Sequence, residues 1–77
     1  MKLNGKLIKK NGHDYLMEAL KLPKYYGKNL DALYDCLCEM SGEIILINSS
    51  DVDDDIISTF VDANKENDFL TFKIEED

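Results

Sequence analysis

The chain has 77 residues, 44% of them hydrophobic, and a formal net charge of −7. This length predicts a single domain over residues 1–77 with a small core, and the periodic apolar runs exclude wholesale disorder. No apolar run is long enough for a transmembrane helix, and the start MKLNGKLIKK lacks the apolar block of a signal peptide. We therefore expect a cytoplasmic protein.

The charge changes sign along the chain. Up to residue 28 there are seven lysines against two acids, whereas after residue 50 there are ten acids against two lysines. An acidic surface repels nucleic acid and anionic membranes and attracts basic proteins. Such a surface also serves solubility alone, so the charge leaves both interpretations open.

The first third of the chain predicts a strand and a helix. KLNGK, residues 2–6, is typical of a short strand followed by an Asn-Gly turn; alternatively, Asn4-Gly5 closes a hairpin onto Leu7-Ile8. Asn11-Gly12 then precedes a predicted helix from about His13 to Leu20, where apolar residues recur with helical spacing.

A second helix and a buried strand follow. NLDALYDCLCEM, residues 29–40, predicts the helix. EIILIN, residues 43–48, predicts a strand in the centre of the sheet, because four consecutive apolar residues, 44–47, indicate that both of its faces are covered.

The last third predicts a third helix and a closing strand. The helix lies within residues 49–67, with Ser50 or Asp51 as its N-cap and aspartates 53–55 complementing the positive end of its dipole. DFLTFKI, residues 68–74, predicts a strand with alternate apolar residues on one face. Strands joined through helices pair in parallel, so the sequence predicts a small α/β domain.

Metal, redox and catalytic chemistry find little support. Cys36 and Cys38 point about 200° apart on the predicted helix, and with His13 distant they make a poor zinc site. Aspartates from residue 51 onward fit a calcium loop in part, but Ile56 replaces its required glycine. We predict no cofactor, no metal and no enzymatic activity; an acid–base pair of Asp31 and Asp35 is the weakest hypothesis.

The second predicted helix has two distinct faces. At about 100° per residue, one arc forms a core stripe of Leu30, Leu33, Leu37 and Met40. A second arc points away from the centre of that stripe and holds Asp31, Tyr34, Asp35 and Cys38. An aromatic ring flanked by two carboxylates is typical of a binding surface, although a solvated face without a partner fits the same pattern.

Residues 22–37, LPKYYGKNLDALYDCL, resemble a segment of the barstar family, the intracellular inhibitors of bacterial ribonucleases such as barnase. The segment matches that family almost position by position in four pieces: Leu-Pro, Tyr-Tyr-Gly, Asn-Leu-Asp-Ala-Leu and aromatic-Asp-Cys-Leu. Elsewhere the likeness lies in the order of strands and helices. The resemblance implies a three-stranded parallel sheet with packed helices, and a binding surface on the second helix and the turn before it.

The resemblance also implies which residues bind the partner. Asp35 matches the family's central aspartate, which would enter the phosphate-binding pocket of a ribonuclease, and its neighbours on the helix and turn match as well. Two acids of the third helix have the spacing of the family's supporting carboxylates. The predicted partner-binding residues are Tyr25, Asn29, Asp31, Tyr34, Asp35, Cys38, Glu39, Asp62 and Glu66.

Five positions in three places depart from the family pattern and leave the identity of the partner open. Tyr34 stands where a Trp is usual, Lys28 stands where an acid is typical, and Cys38-Glu39-Met40 replaces a small polar residue, a glycine and an aromatic residue. The expected partner is a basic ribonuclease or a related nuclease toxin, with no nucleic acid or membrane partner, and we expect the free protein to be a monomer. The competing hypothesis is an acidic interaction or immunity module that binds a basic protein other than a ribonuclease.

Overall fold

The computed structural model describes residues 1–75, so Glu76 and Asp77 of the predicted domain lie outside the described residues. Three strands and four α-helices follow one another, with a short 3₁₀ turn, Ser49–Asp51, before the last helix. The elements are β1 (Lys2–Asn4), α1 (Gly5–Asn11), α2 (His13–Ala19), α3 (Leu30–Cys38), β2 (Gly42–Ile47), α4 (Asp54–Glu66) and β3 (Leu70–Ile74).

The sheet has the order β1-β2-β3, and both pairs of neighbours are parallel. Leu3 pairs with Leu46, and Leu46 pairs in turn with Ile74. The prediction of a three-stranded parallel sheet with a central Ile-rich strand is therefore confirmed, as is the α/β class.

The prediction that both faces of β2 are covered is wrong. Ile44 and Leu46 are buried, whereas Ile45 and Ile47 on the other face are half-buried and stand outside the core cluster. On that outer face Lys73 and Glu43 form an ion pair at 3.2 Å. Two right-handed crossovers that step in the same direction place their helices on the same side of a sheet, which leaves the other side to solvent.

The start of the chain also differs from the prediction. Residues 5–11 form α1 instead of a turn, so the hairpin alternative onto Leu7-Ile8 is wrong. The side chain of Asn4 caps α1 by accepting a hydrogen bond from the N–H of Lys6 at 3.0 Å. A Cβ on Gly5 would lie 2.1 Å from the carbonyl oxygen of Asn48, so this glycine allows the close approach of two backbone segments.

The other helices lie close to their predicted positions. The helix predicted from about His13 is confirmed as α2, and the second predicted helix is confirmed as α3. The N-cap of α4 is Asp53, so the prediction of Ser50 or Asp51 as N-cap is wrong. Ser50 and Asp51 belong to the 3₁₀ turn, and Val52 has extended backbone angles that separate this turn from the helix.

The core lies between the helices and the inner face of the sheet. Its centre consists of side chains that are at most 1% exposed, namely Leu3, Leu16, Leu33, Leu37, Leu46, Phe60 and Ala63. Phe60 stacks on the half-buried ring of Phe72 at the edge of the core, with ring centroids 4.9 Å apart. Within residues 1–75, none of the helices combines the length and the apolar character that a membrane crossing requires.

One polar side chain, Asn67, is buried beside this core with only 7% exposure. Its amide nitrogen donates to the carbonyl oxygens of Leu37, at 3.0 Å, and Met40, at 2.7 Å. Its oxygen accepts from the N–H of Phe69 at 3.0 Å. Asn67 therefore joins the end of α3 to the segment between α4 and β3.

We expect Asn67→Ala to lower the free energy of unfolding by about 2–3 kcal/mol, because buried carbonyls lose their donor. Urea unfolding followed by circular dichroism measures this change. Asn11→Ala is the matched control: Asn11 is exposed and makes no side-chain hydrogen bond within the described residues, so its effect should stay within about 0.5 kcal/mol. Equal losses in the two variants would contradict the role assigned to Asn67.

Candidate functional site

Helix α3 forms because its first turn is capped and one of its faces is apolar. The side-chain oxygen of Asn29 accepts a hydrogen bond from the N–H of Ala32 at 2.8 Å, which is the usual N-cap geometry. Leu33 and Leu37 are fully buried, and Leu30 and Met40 are half-buried, as the predicted core stripe requires. This packing fixes which face of α3 points outward.

Three carboxylates follow one another along the outward side of α3. Asp31, Asp35 and Glu39 are four residues apart, so one of them stands on each successive turn, and all three are exposed. None takes part in an ion pair within residues 1–75. The three like charges repel one another, and no lysine of the described chain forms an ion pair with them.

Tyr34 and Cys38 lie between this row and the acids of α4. Both are half-buried. The pKa of Tyr34 is raised, first by its hydrogen bond to Cys38, then by desolvation, and finally by the charges of Cys38, Glu66 and Asp62. The charges of Asp62 and Glu66 on α4 therefore act on the phenol of Tyr34 on α3, which brings these predicted residues of the two helices near one another.

The two neighbouring tyrosines of the α2–α3 loop have opposite environments. Tyr25 is 87% exposed, whereas Tyr26 is 5% exposed and its hydroxyl is hydrogen-bonded to Nδ1 of His13. Desolvation, with a smaller effect of Cys36, raises the pKa of Tyr26 to about 12. The buried ring anchors the loop and leaves its neighbour directed into solvent.

Lys28 ties the same loop to α2. Its ammonium lies 2.8 Å from a carboxylate oxygen of Asp14, and the hydrogen bond and charge of Lys28 lower the pKa of that carboxyl. Lys28 has a positive φ of 53° immediately before the cap residue Asn29. Lys28, which departs from the family pattern, is thus paired with Asp14 of the same chain.

Seven of the nine predicted residues fall into two groups beside α3. Tyr25, Asp35 and Glu39 line a groove between α3 and the α2–α3 loop. Tyr34, Cys38, Asp62 and Glu66 form the second group, toward α4. The side chain of Asn29 is hydrogen-bonded to nearby backbone groups. Its oxygen accepts from the N–H of Ala32, and its nitrogen donates to the carbonyl of Gly27 at 3.2 Å.

The apolar lining of the groove was missed by the sequence prediction. Leu20, Leu22 and Met40 line it, together with Lys21. Helical spacing identifies Leu20 and Met40 as apolar positions but does not show that they meet beside Asp35. A larger cleft of about 560 Å³ lies between α1 and the start of α4, and it contains none of the predicted site residues.

The described part of the chain contains no group of side chains arranged as a metal site or a reactive-thiol site. No group of three or more His, Cys, Asp or Glu residues within residues 1–75 is placed to hold a metal ion. Cys36 and Cys38 are free thiols. Burial, followed by the charges of Glu39 and Asp35, raises the pKa of the Cys36 thiol, which disfavours its reactive thiolate.

The fold and this face define a small α/β domain with an acidic outer surface. The sequence model of the family described as Barstar (barnase inhibitor) matches residues 2–74. The chain therefore belongs to the Barstar family, which confirms the resemblance seen in residues 22–37.

A curated protein of Bacillus subtilis (strain 168) is also similar to this chain. Its name is "Putative ribonuclease inhibitor YrdF", and it is 64% identical over 25 residues. That stretch makes up 32% of this chain and 28% of the relative. The match thus spans less than a third of either protein.

We expect Asp35→Asn to raise the free energy of unfolding by about 0.3–1 kcal/mol at low salt, because it removes repulsion with Asp31 and Glu39. The gain should shrink at about 0.5 M salt. Asp54→Asn is the control, since Asp54 stands in the first turn of α4; its loss should lower stability by about 0.3–1 kcal/mol. A clear loss of stability in Asp35→Asn would instead make Asp35 a structural residue.

Proposed function

We propose that this protein is a stoichiometric inhibitor of a bacterial ribonuclease and that it blocks the active site of the enzyme with the acidic face of α3 and α4. Membership of the Barstar family supports the general role, and the short match to the protein named "Putative ribonuclease inhibitor YrdF" agrees with it. The partner is a basic ribonuclease or a related nuclease toxin.

The unpaired row of Asp31, Asp35 and Glu39 is the observation that carries the proposal. A ribonuclease active site holds the phosphates of RNA with cationic side chains, so carboxylates presented in a row can take the places of those phosphates. A row of like charges costs the free protein stability, and cations of a partner relieve that cost. The same feature opposes RNA itself as the ligand, because RNA is an anion.

The exposed ring of Tyr25 supplies the second part of such an interface. Protein interfaces are enriched in tyrosine, because its ring buries a large apolar area while its hydroxyl stays hydrogen-bonded. At 87% exposure, nearly all of that area is free in the unbound chain. Tyr25 lines the same groove as Asp35, so one partner surface can contact both.

We expect the chain to inhibit barnase, or another small basic bacterial ribonuclease, completely at a 1:1 ratio, and Asp35→Ala to weaken this binding by about 2–5 kcal/mol. The substitution leaves the cations of the partner buried and unpaired. The barnase–barstar complex is the reference case for such charged interfaces, so the magnitude is carried over from it. Calorimetric titration and an RNA cleavage assay measure the two quantities.

The matched control for this experiment is Glu75→Ala. Glu75 follows β3, is not one of the predicted binding residues, and its carboxylate lies 3.9 Å from the ammonium of Lys2. Its removal should therefore cost under about 1 kcal/mol of binding. Tight inhibition by a folded Asp35→Ala variant would contradict the proposed site. If the folded wild-type protein inhibits neither barnase nor any other small basic bacterial ribonuclease, the proposed function is contradicted. Such a result would favour a basic partner protein of another class.

We expect the association rate with such a ribonuclease to fall steeply between about 0.05 and 0.5 M salt, while the dissociation rate changes much less. Salt screens the long-range attraction between an acidic face and a basic enzyme but not the packing within the complex. Stopped-flow fluorescence measures both rates. An association rate that is independent of salt would mean that the acidic face does not steer the encounter.

A further inference from the structure

The α2–α3 loop carries three lysines immediately before the acidic row of α3, which consists of Asp31, Asp35 and Glu39. The lysines are Lys21, Lys24 and Lys28. Only Lys28 has a carboxylate partner within residues 1–75, because its ammonium lies 2.8 Å from a carboxylate oxygen of Asp14. Lys28 is also the lysine closest in sequence to the acidic row, since it stands three positions before Asp31.

Hydrogen bonds hold the backbone on both sides of Lys28. The residue has a positive φ of 53°, a conformation that residues other than glycine rarely adopt. The next side chain, that of Asn29, donates to the carbonyl of Gly27 at 3.2 Å and accepts from the N–H of Ala32 at 2.8 Å. The loop thus fixes where the side chain of Lys28 begins, and Asp14 determines where its ammonium ends.

The ion pair matters more for the location of a charge than for folding. The side chains of Lys28 and Asp14 are 54% and 71% exposed, and an exposed ion pair contributes little to stability. Charges interact over about 8 Å at physiological ionic strength. An ammonium placed beside Asp31 would therefore cancel part of the field of the acidic row, whereas the same ammonium held on α2 does so less.

We propose that Asp14 is a positioning residue for partner binding: it holds the ammonium of Lys28 on α2 and keeps this cation from pairing with Asp31. The negative charge that the acidic row offers to a basic partner then depends on a carboxylate outside the row. The inference rests on the proposed function for the identity of the partner. The placement of Lys28 does not depend on that identity.

Loss of Asp14 has two effects that can be separated. It removes one negative charge from α2, which weakens the attraction for any cation. It also frees Lys28 to pair with Asp31, the next carboxylate along the chain. A double-mutant cycle distinguishes the two effects, because the first is additive and the second appears only while Lys28 is present.

The inference can be tested without any ribonuclease by NMR with one cationic and one anionic nitroxide. The ratio of the relaxation that the two probes cause at a proton reports the electrostatic potential beside it. At Asp31 and Asp35, Lys28→Gln should raise the cation-to-anion ratio about twofold more in the Asp14→Asn protein than in wild type. Protons of Thr71, which pairs with Glu43 on the outer face of the sheet, should show no such difference.

Two control variants accompany this measurement. Asp14→Glu keeps a carboxylate at the position and should leave the ratios at Asp31 as in wild type. Glu18→Gln removes an exposed acid of α2 that forms no ion pair within residues 1–75, so Lys28→Gln should act in this protein as it does in wild type. An effect of Lys28→Gln that is equal in wild type and in Asp14→Asn would overturn the inference.

Stopped-flow association with barnase tests the consequence for binding. Lys28→Gln should raise the association rate constant about twofold more in Asp14→Asn than in wild type, and this difference should vanish at about 0.5 M salt. If barnase is inhibited but the two proteins respond alike, the inference is overturned while the proposed function stands. If neither barnase nor another small basic bacterial ribonuclease is inhibited, the proposed function fails and the nitroxide measurement alone decides the inference.

Discussion

The buried amide of Asn67 is the interaction on which the placement of the binding face depends. Helix α3 has nine residues, too few to be stable alone. Asp31 and Asp35 within it and Glu39 at its C-cap place three like charges on its outer side. Leu33 and Leu37 pack it into the core and fix which side faces outward, whereas the carbonyls at its C-terminal end still need hydrogen-bond donors. Asn67 ties down its end by donating to two carbonyls, those of Leu37 and Met40. Its side-chain oxygen accepts from the N–H of Phe69, the residue before β3.

Other polar side chains cover the edges of the sheet. The hydroxyl of Tyr15 accepts a hydrogen bond from the N–H of Asn4 in β1 at 3.0 Å, and the side chain of Asn64 accepts one from the N–H of Phe72 in β3 at 2.9 Å. Exposed strand N–H groups invite pairing with other chains. Because these two are occupied from within, the edges are less available for pairing, whereas the row of acids on α3 has no intramolecular partner in the described chain.

Much of the fold could be predicted from sequence because its signals are local. The Ile-rich strand, the helix α3 and the parallel pairing follow from composition and spacing. Helix α1 was missed because Asn4-Gly5 is also the pattern of a tight turn; its glycine is there to approach Asn48, a contact 43 positions away. The same distinction holds for the candidate site. The acids of α3 could be placed from sequence by a helical wheel and a family resemblance. The groove beside them could not, because it forms only when the loop that contains Lys21 and Leu22 folds against α3.

The Tyr-Tyr-Gly turn before α3 shows how structure and function divide between neighbouring residues. Tyr26 is held by His13 inside the fold, and Lys28 is held by Asp14, so the loop is anchored on both sides of Gly27. The ammonium of Lys28 is thereby directed to α2 and does not neutralise the acids of α3. A chain selected for stability alone would place its cations beside that row; this one anchors its loop with Lys28 and leaves Tyr25 and Asp35 exposed. The resulting repulsion is modest in the free protein, and it becomes attraction once a basic surface approaches.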